Sequence, residues 1–400
     1  PYAATETTPV TPTRSTGAAD CAPGRGAAEA CRKPLAKQLL VRRHGAAVRL
    51  EHGSRMDDAM HGGLQDRLEV NEAQHYPQRS LMQSADLMQL CSMVKRPDLT
   101  YKPMEPLPAW SVPPRDIYRW IRRRPRLLYH PYHSFDPVTE LVSTAAEDPA
   151  VLAIKQTLYR TSGDSSIIRA LTRAAELGKH VTVVVELRAR VDEERNIQWA
   201  RSLEQAGAHV VYGLVGYKTH CKALLVVRRE EDGIRRYMHF GTGNYNDATA
   251  RLYTDMGLMI CDELYGEDAS ALFNIITGAT VPPAWNKVEM SPVGIRRRLL
   301  QLIDREGHRS TKARPGRIVA KMNSLQDRAL IDALYRASAA GVRVDLIVRG
   351  ICCLRAGVPK LSENIRVCSV VGRFLEHPRI FWFRNGGKHE LFISSADWMP

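Results

Sequence analysis

Two short stretches of this 400-residue chain carry a histidine with a cation two residues on. The first is YKTHCKALLVV, with His220 and Lys222 at the head of an apolar run, and the second is EHPRIFWF, with His377 and Arg379. On a strand, residues i and i+2 share a face, so each imidazole is expected to project beside its cation. A small polar turn follows each pair: Gly241, Thr242, Gly243 and Asn244 in the first case, Ser394 and Ser395 in the second. Small residues let backbone N–H groups and the Asn244 amide approach an anion closely. Together these groups suit phosphoryl transfer. A neutral imidazole attacks phosphorus, the cations absorb charge on the equatorial oxygens, and the second imidazole handles the proton or anionic oxygen of the departing group. A lone His-x-Lys is weak evidence, because strand histidines beside lysines are common in structural settings. Its recurrence with a matching turn is strong.

The elements that must position these residues repeat as well. An apolar strand ending AIKQTLYR, a helix through SIIRALTRAAELG and a buried strand HVTVVVELRAR form the first copy. The second has IVAKMNSL, the helix ALIDALYRASAAG and the strand VRVDLIVRGICC. Apolar residues recur at three- and four-residue spacing in each helix, and a glycine, Gly178 or Gly341, closes it. Lys321 lies 166 residues after Lys155, Gly341 163 after Gly178, and His377 157 after His220. A slowly shrinking offset is what duplication with small deletions leaves. Two such βαβ copies predict an α/β fold with mostly parallel sheets, each copy supplying half of one site. The duplicated His-x-Lys/Arg with its turns is the phospholipase D-like signature.

Arg160, Arg190 and Arg349 fall at strand ends, where α/β sheets form their ligand crevice, and a guanidinium can hold phosphate oxygens through two parallel hydrogen bonds. The rival reading for each is a surface salt bridge, with Asp192, Glu193 and Glu194 as partners for Arg190. The runs Arg122–Arg124 and Arg296–Arg298 read as solvated helix faces.

Composition narrows the partner. The chain is 44% hydrophobic and 25% charged, which excludes wholesale disorder. No apolar run approaches the ~18–20 residues of a membrane span. Lys and Arg number 57 against 43 acidic residues, a formal charge of +14 that attracts polyanions. Aromatics are only 7%, and the basic strand ends are flanked by small and aliphatic residues, so no base-stacking platform for nucleic acid is expected. Eight cysteines show no CxxC pair and no Cys/His cluster, and Cys352 and Cys353 read as small core residues. The pattern suits a reducing cytoplasm with neither disulfides nor structural zinc. There is no GxxxxGK[ST], no third glycine in GTGNYN to make a dinucleotide loop, and no HRD…DFG pair of a protein kinase. Residue 1 is Pro, so the chain is expected to be part of a longer protein.

Taken in order, HPYHSFDP, IKQTLYR, VVVELRARVDEERNI, KTHCKALLV, GTGNYN and ARLYTD, then SP…LLQLIDRE, AKMNSL, IVRGICCL, EHPRI and SSADWMP, closely resemble the polyphosphate kinase family, the phosphohistidine type related to phospholipase D. The resemblance covers roughly residues 115–400 and, more loosely, 41–110. Residues 1–40, rich in Ala, Thr, Pro and Gly without periodicity, read as an irregular or flexible lead-in, and the resemblance implies a partial helical head region and linker over 41–114 and two phospholipase D-like catalytic domains over 115–290 and 291–400. The family's N-terminal domain, most of its head domain and its C-terminal end do not match. The implied activity is reversible, ATP-dependent extension of inorganic polyphosphate. His220 corresponds to the phosphorylated histidine, with Lys222 and His377 as further catalytic residues. Tyr253, Arg349 and His377 correspond to nucleotide contacts, while Arg160, Arg190, Asn244 and Arg379 are expected as phosphate binders from their residue types and positions. Arg160 and Arg190 also stand at the family's magnesium positions. A guanidinium has no lone pair, so they are expected to meet Mg²⁺ through shared phosphates. The resemblance further implies ATP, ADP and polyphosphate as partners, homo-oligomerisation of the full-length protein, no nucleic acid, and a cytoplasmic location with at most peripheral association at the inner membrane. Two alternatives stay open. One is another phospholipase D-like phosphotransferase or phosphodiesterase, although such enzymes usually have Lys in both half-sites and an Asp shortly after. The other is a non-catalytic polyanion-binding fragment.

Overall fold

The computed structural model of the chain describes residues 47, 49–53, 56–78, 87–94, 96–108, 117–159, 165–186, 193–213, 217–278, 284–292 and 294–400. The expected lead-in over 1–40 lies outside them. Two compact units, Pro1–Pro103 and Met104–Pro400, make up the chain.

In the first unit, β1 (Leu50–Gly53) and β2 (His75–Gln78) pair in parallel, with Leu50 opposite His75. Parallel neighbours cannot share a hairpin, so the chain crosses over through α1 (Asp58–Leu68), whose first turn Asp57 caps by accepting from the Met60 amide at 2.8 Å. A further helix, α2 (Leu87–Met93), follows. The region expected to be helical therefore contains a small βαβ unit. Residues 101–106 have no regular structure, as their prolines require.

The second unit opens with α3 (Ile117–Arg123), β3 (Arg126–His130) and α4 (Asp136–Glu147). The first copy then runs β4 (Val151–Leu158), α5 (Ser166–Glu176), β5 (His180–Val185), α6 (Glu193–Gln205) and β6 (His209–Val211). It continues through β7 (Lys222–Glu230), β8 (Gly233–Gly241), α7 (Asp247–Ala250), β9 (Tyr253–Ile260) and α8 (Glu263–Ile276). The second copy has α9 (Ile295–Arg309), β10 (Arg317–Met322), α10 (Arg328–Ala339), β11 (Arg343–Val348) and β12 (Ile365–Cys368). It ends with β13 (Leu375–Glu376), β14 (Arg379–Phe383) and β15 (Glu390–Ser394).

Strand order confirms the internal duplication. The first sheet runs β13-β9-β8-β7-β4-β5-β6, with β3 also on β9, and the second runs β12-β11-β10-β14-β15. The series β6-β5-β4-β7-β8 and β12-β11-β10-β14-β15 are the same path. In both, the first three strands are parallel. The two that follow are antiparallel. The expectation of mostly parallel sheets is corrected accordingly: the sheets are mixed, because β7 and β14 enter against the direction of β4 and β10.

Both helices expected from periodicity form for the expected reason. α5 buries Ile167, Ala170, Leu171, Ala174 and Ala175 along one face, and α10 buries Leu330, Ile331, Leu334 and Ala337. Gly178 and Gly341 end them at φ of 79° and 81°, a left-handed conformation that costs other residues dearly. The second sheet packs a core of Ile303, Ile318, Leu334, Leu346, Phe381, Phe383 and Trp398. On the first sheet Leu225, Met238, Leu272 and Phe273 do the same. Arg122 and Arg296 are exposed, as a solvated helix face requires, and reach Glu230 at 2.8 Å and the buried Asp327 at 3.0 Å. Cys352 packs against the second core, but Cys353 is exposed, which corrects the reading of that pair. Among the described residues no helix is long and apolar enough to cross a membrane.

Candidate functional site

Lys222 and Arg379 are the first residues of β7 and β14, the central strands that join the parallel and antiparallel halves of their sheets. Each strand is paired on both sides, which fixes the start of the strand and the histidine two residues ahead of it. His220 thus precedes its strand, where an in-strand position was expected. The Lys222 ammonium turns back to donate to the His220 carbonyl, and the Arg379 guanidinium donates to the His377 carbonyl at 2.9 Å.

Each histidine takes its Nδ1 partner from the other copy, while Arg379 donates to His377 Nε2 at 3.1 Å within its own. His220 Nδ1 lies 3.0 Å from the carbonyl oxygen of Ser395, just past β15. A carbonyl can only accept, so Nδ1 carries the proton and Nε2 keeps a free lone pair. His377 lies just after β13, a two-residue strand that leaves its own copy to pair with β9, with Leu375 opposite Tyr253 and Glu376 opposite Thr254. Thr254 donates to Glu376 at 3.1 Å, and Lys321 pairs with that same carboxylate. This seam sets His377 Nδ1 2.8 Å from Asp255 of β9. Tyr253 lies beside His377 with ring centroids 5.5 Å apart, and Tyr159 sits edge-on to His220 at 5.3 Å.

The electrostatics differ between the half-sites. Arg379 is 5% exposed and is gripped by Asp397 through two hydrogen bonds of 3.2 and 2.7 Å. Lys222 is 3% exposed and has no ion pair among the described residues. At the station where the second copy has Asp397 the first has Asn244, an amide, whose Oδ1 is buried without a hydrogen-bond partner. Burial, reinforced by Arg379 and Lys218, pushes the Lys222 pKa down to about 7. For His220, burial first and then Lys222, Arg379, Lys218 and His377 push the pKa down to about 2. That imidazole is neutral at physiological pH, as a nucleophile must be.

The GTGN turn was expected to offer amides to an anion. Of its groups, Thr242 is engaged within the protein, its amide donating to Met256 at 2.9 Å and its hydroxyl to Asp255 at 2.6 Å. A Cβ on Gly243 would overlap the Asp255 carboxylate, so the glycine is there to seat that acid. Ser394 is spent on Ala396, while Ser395 serves through its carbonyl alone. Arg349 follows β11 directly and donates to Asn323 at 2.9 Å, and no carboxylate among the described residues pairs with it. Arg160 and Arg190 lie outside the described residues.

Asp255, Asp397, Glu376 and Asn323 were missed as functional residues. All four stand in the quoted stretches, Asp255 in ARLYTD, Asp397 in SSADW, Glu376 in EHPRI and Asn323 in AKMNSL, but nothing about their spacing marks them as partners of His-x-Lys/Arg.

Residues 116–282 match the family described as polyphosphate kinase C-terminal domain 1, and residues 288–400 match polyphosphate kinase C-terminal domain 2. The chain belongs to the polyphosphate kinase family. It is similar to the polyphosphate kinase of Halalkalibacterium halodurans, 50% identical over 397 residues covering 98% of this chain and 56% of that one. That of Rhodopirellula baltica is 58% identical over 274 residues, 68% of this chain and 32% of the relative. The crystal structure of polyphosphate kinase from Porphyromonas gingivalis superposes with a TM-score of 0.76 at 35% identity, covering 89% of this chain and 54% of that one. The chain thus spans about half the length of family members such as the H. halodurans protein.

Proposed function

We propose that residues 104–400 form the phosphotransfer centre of an ATP:polyphosphate phosphotransferase working through a phosphohistidine at His220. The observation that carries this reading is the hydrogen bond from His220 Nδ1 to the Ser395 carbonyl, which leaves Nε2 with its lone pair amid Lys222, Lys218 and Arg379. Nε2 attacks the γ-phosphorus of ATP. A P–N bond forms as the bond from that phosphorus to the β-γ bridging oxygen breaks, and ADP leaves with the electron pair. A terminal oxygen of polyphosphate then attacks the same phosphorus, the P–N bond breaks, and the chain is one phosphate longer. Lys222 and Arg379 hold the equatorial oxygens, where preorganised charge lowers the barrier most. His377, with its Nδ1 proton held by Asp255, faces the departing or entering phosphate. Tyr253 and Arg349 support the nucleotide, and Asn244, Arg160 and Arg190 the phosphate chain.

Asp255, Asp397 and Glu376 are already engaged by His377, Arg379 and Lys321. Mg²⁺ therefore fits this centre through substrate phosphate oxygens, its usual manner of binding, and Arg160 and Arg190 would share those phosphates. It would neutralise phosphate charge. The full-length protein acts as a homo-oligomer in the cytoplasm, with membrane association peripheral at most.

The test is incubation with γ-labelled ATP and Mg²⁺, followed by mass spectrometry. An acid-labile, base-stable phosphate on His220, absent from His220→Ala, is the expected result. Label on another residue that persists in His220→Ala sinks the assignment.

A further inference from the structure

The first unit holds a cluster that the phosphotransfer reading does not use. His52 of β1, His61 of α1 and His75 of β2 each offer one ring nitrogen, and these atoms all lie within 4.8 Å of one another. The βαβ crossover brings them together. His75 stands opposite Leu50, and His52 is two residues further along the neighbouring strand, on the same face as Leu50. The crossover helix carries His61. In sequence the three are nine and fourteen residues apart, and no cysteine takes part, so the fold assembles what the sequence disperses.

The bland alternative is three packed rings. The geometry argues against it. Ring centroids are 4.8, 6.2 and 4.5 Å apart with interplanar angles of 54°, 81° and 89°, so the rings tilt their edges inward and none stack face to face. His75 Nδ1 lies 2.6 Å from His61 Nε2, below the usual range for a hydrogen bond from nitrogen. The other nitrogen of His75, Nε2, is buried with no hydrogen-bond partner.

A second observation comes from the unit itself. α1 has no buried residue, and β1 and β2 are four residues each. Among the described residues of this unit the buried apolar side chains are Leu50 and Val70, so an ion tying α1 to both strands would reinforce a thin local core. We infer that His52, His61 and His75 bind one divalent transition-metal ion, Zn²⁺ foremost, tying α1 to both strands. Three imidazoles suit zinc and its neighbours rather than Mg²⁺, which prefers oxygen, so this site is chemically distinct from one served by substrate phosphates. A tetrahedral ion held by three ligands keeps its fourth position for water.

The experiment uses the 400-residue chain, Co²⁺ as a visible probe and Zn²⁺ as competitor. One equivalent of Co²⁺ should give the absorption of a four-coordinate ion, unaffected by excess Mg²⁺ and abolished by one equivalent of Zn²⁺. His61→Ala and His75→Ala should each weaken binding more than about 100-fold, since even outer-shell changes cost about 10–100-fold. A readout that needs no variant is the imidazole spectrum of histidine-labelled chain, in which three of the 13 histidines should shift with one equivalent of Zn²⁺. No Co²⁺ uptake, unchanged uptake in both variants, or fewer than three shifted imidazoles would each overturn the proposal.

Discussion

Asp255 and His377 meet at 2.8 Å across 122 residues of sequence, one on β9 of the first copy and the other at the mouth of the second. With the reciprocal bond from His220 to Ser395, it makes the site a product of both copies. Each half takes the Nδ1 partner of its histidine from the other.

Replacing Asp255 by Asn keeps the size and removes the charge that fixes the His377 tautomer. Turnover should fall by about two to four decades, the usual worth of a positioned acid or base, while His220 still becomes labelled. Single-turnover labelling alongside steady-state kinetics measures both. Wild-type turnover in Asp255→Asn would make the pair merely structural.

Gly243→Ala tests the seat of that carboxylate. The new methyl overlaps Asp255, so the acid must shift, at a cost of about 1–3 kcal/mol for overpacking and with a loss of activity resembling that of Asp255→Asn. Full activity and an unchanged melting temperature would show that the turn has slack.

Lys222 gives a pH signature. An unfolded lysine keeps its proton to about pH 10.4, whereas the folded one releases it at about 7. Between those values the unfolded chain binds more protons, so stability rises with pH across that window, and below it the buried charge is fully destabilising. Without ligands, Lys222→Met should stabilise the chain at about pH 6 by on the order of a few kcal/mol, and by little at about pH 10.5. Denaturation curves at both pH values decide; an equal gain at each would contradict the shift.

Arg349 donates to Asn323 and pairs with no carboxylate among the described residues, which suits the proposed contact with the nucleotide. Arg349→Lys loses the planar fork and should raise the KM for ATP about tenfold or more, equivalent to losing about 1.4 kcal/mol of binding. Arg122→Lys, where the arginine pairs with Glu230 on the surface, is the control. Equal and negligible effects at both positions would return Arg349 to a structural role.

Much of this molecule is determined by local pattern. The periodicity of α5 and α10, the glycines that end them and the shrinking offset between copies disclose a duplicated α/β fold, because helix faces and left-handed caps depend on neighbours in sequence. The spacing of His220 to Lys222 and His377 to Arg379 locates the chemistry for the same reason. Only the tertiary structure decides which groups hold those histidines. The excursion of β13 to β9, the seating of Asp255 against Gly243, the grip of Asp397 on Arg379 and the convergence of His52, His61 and His75 all join residues whose separation along the chain carries no signal. Strand pairing and burial bring such groups within hydrogen-bonding distance, and burial then shifts the His220 and Lys222 pKa values, which no reading of residue types contains.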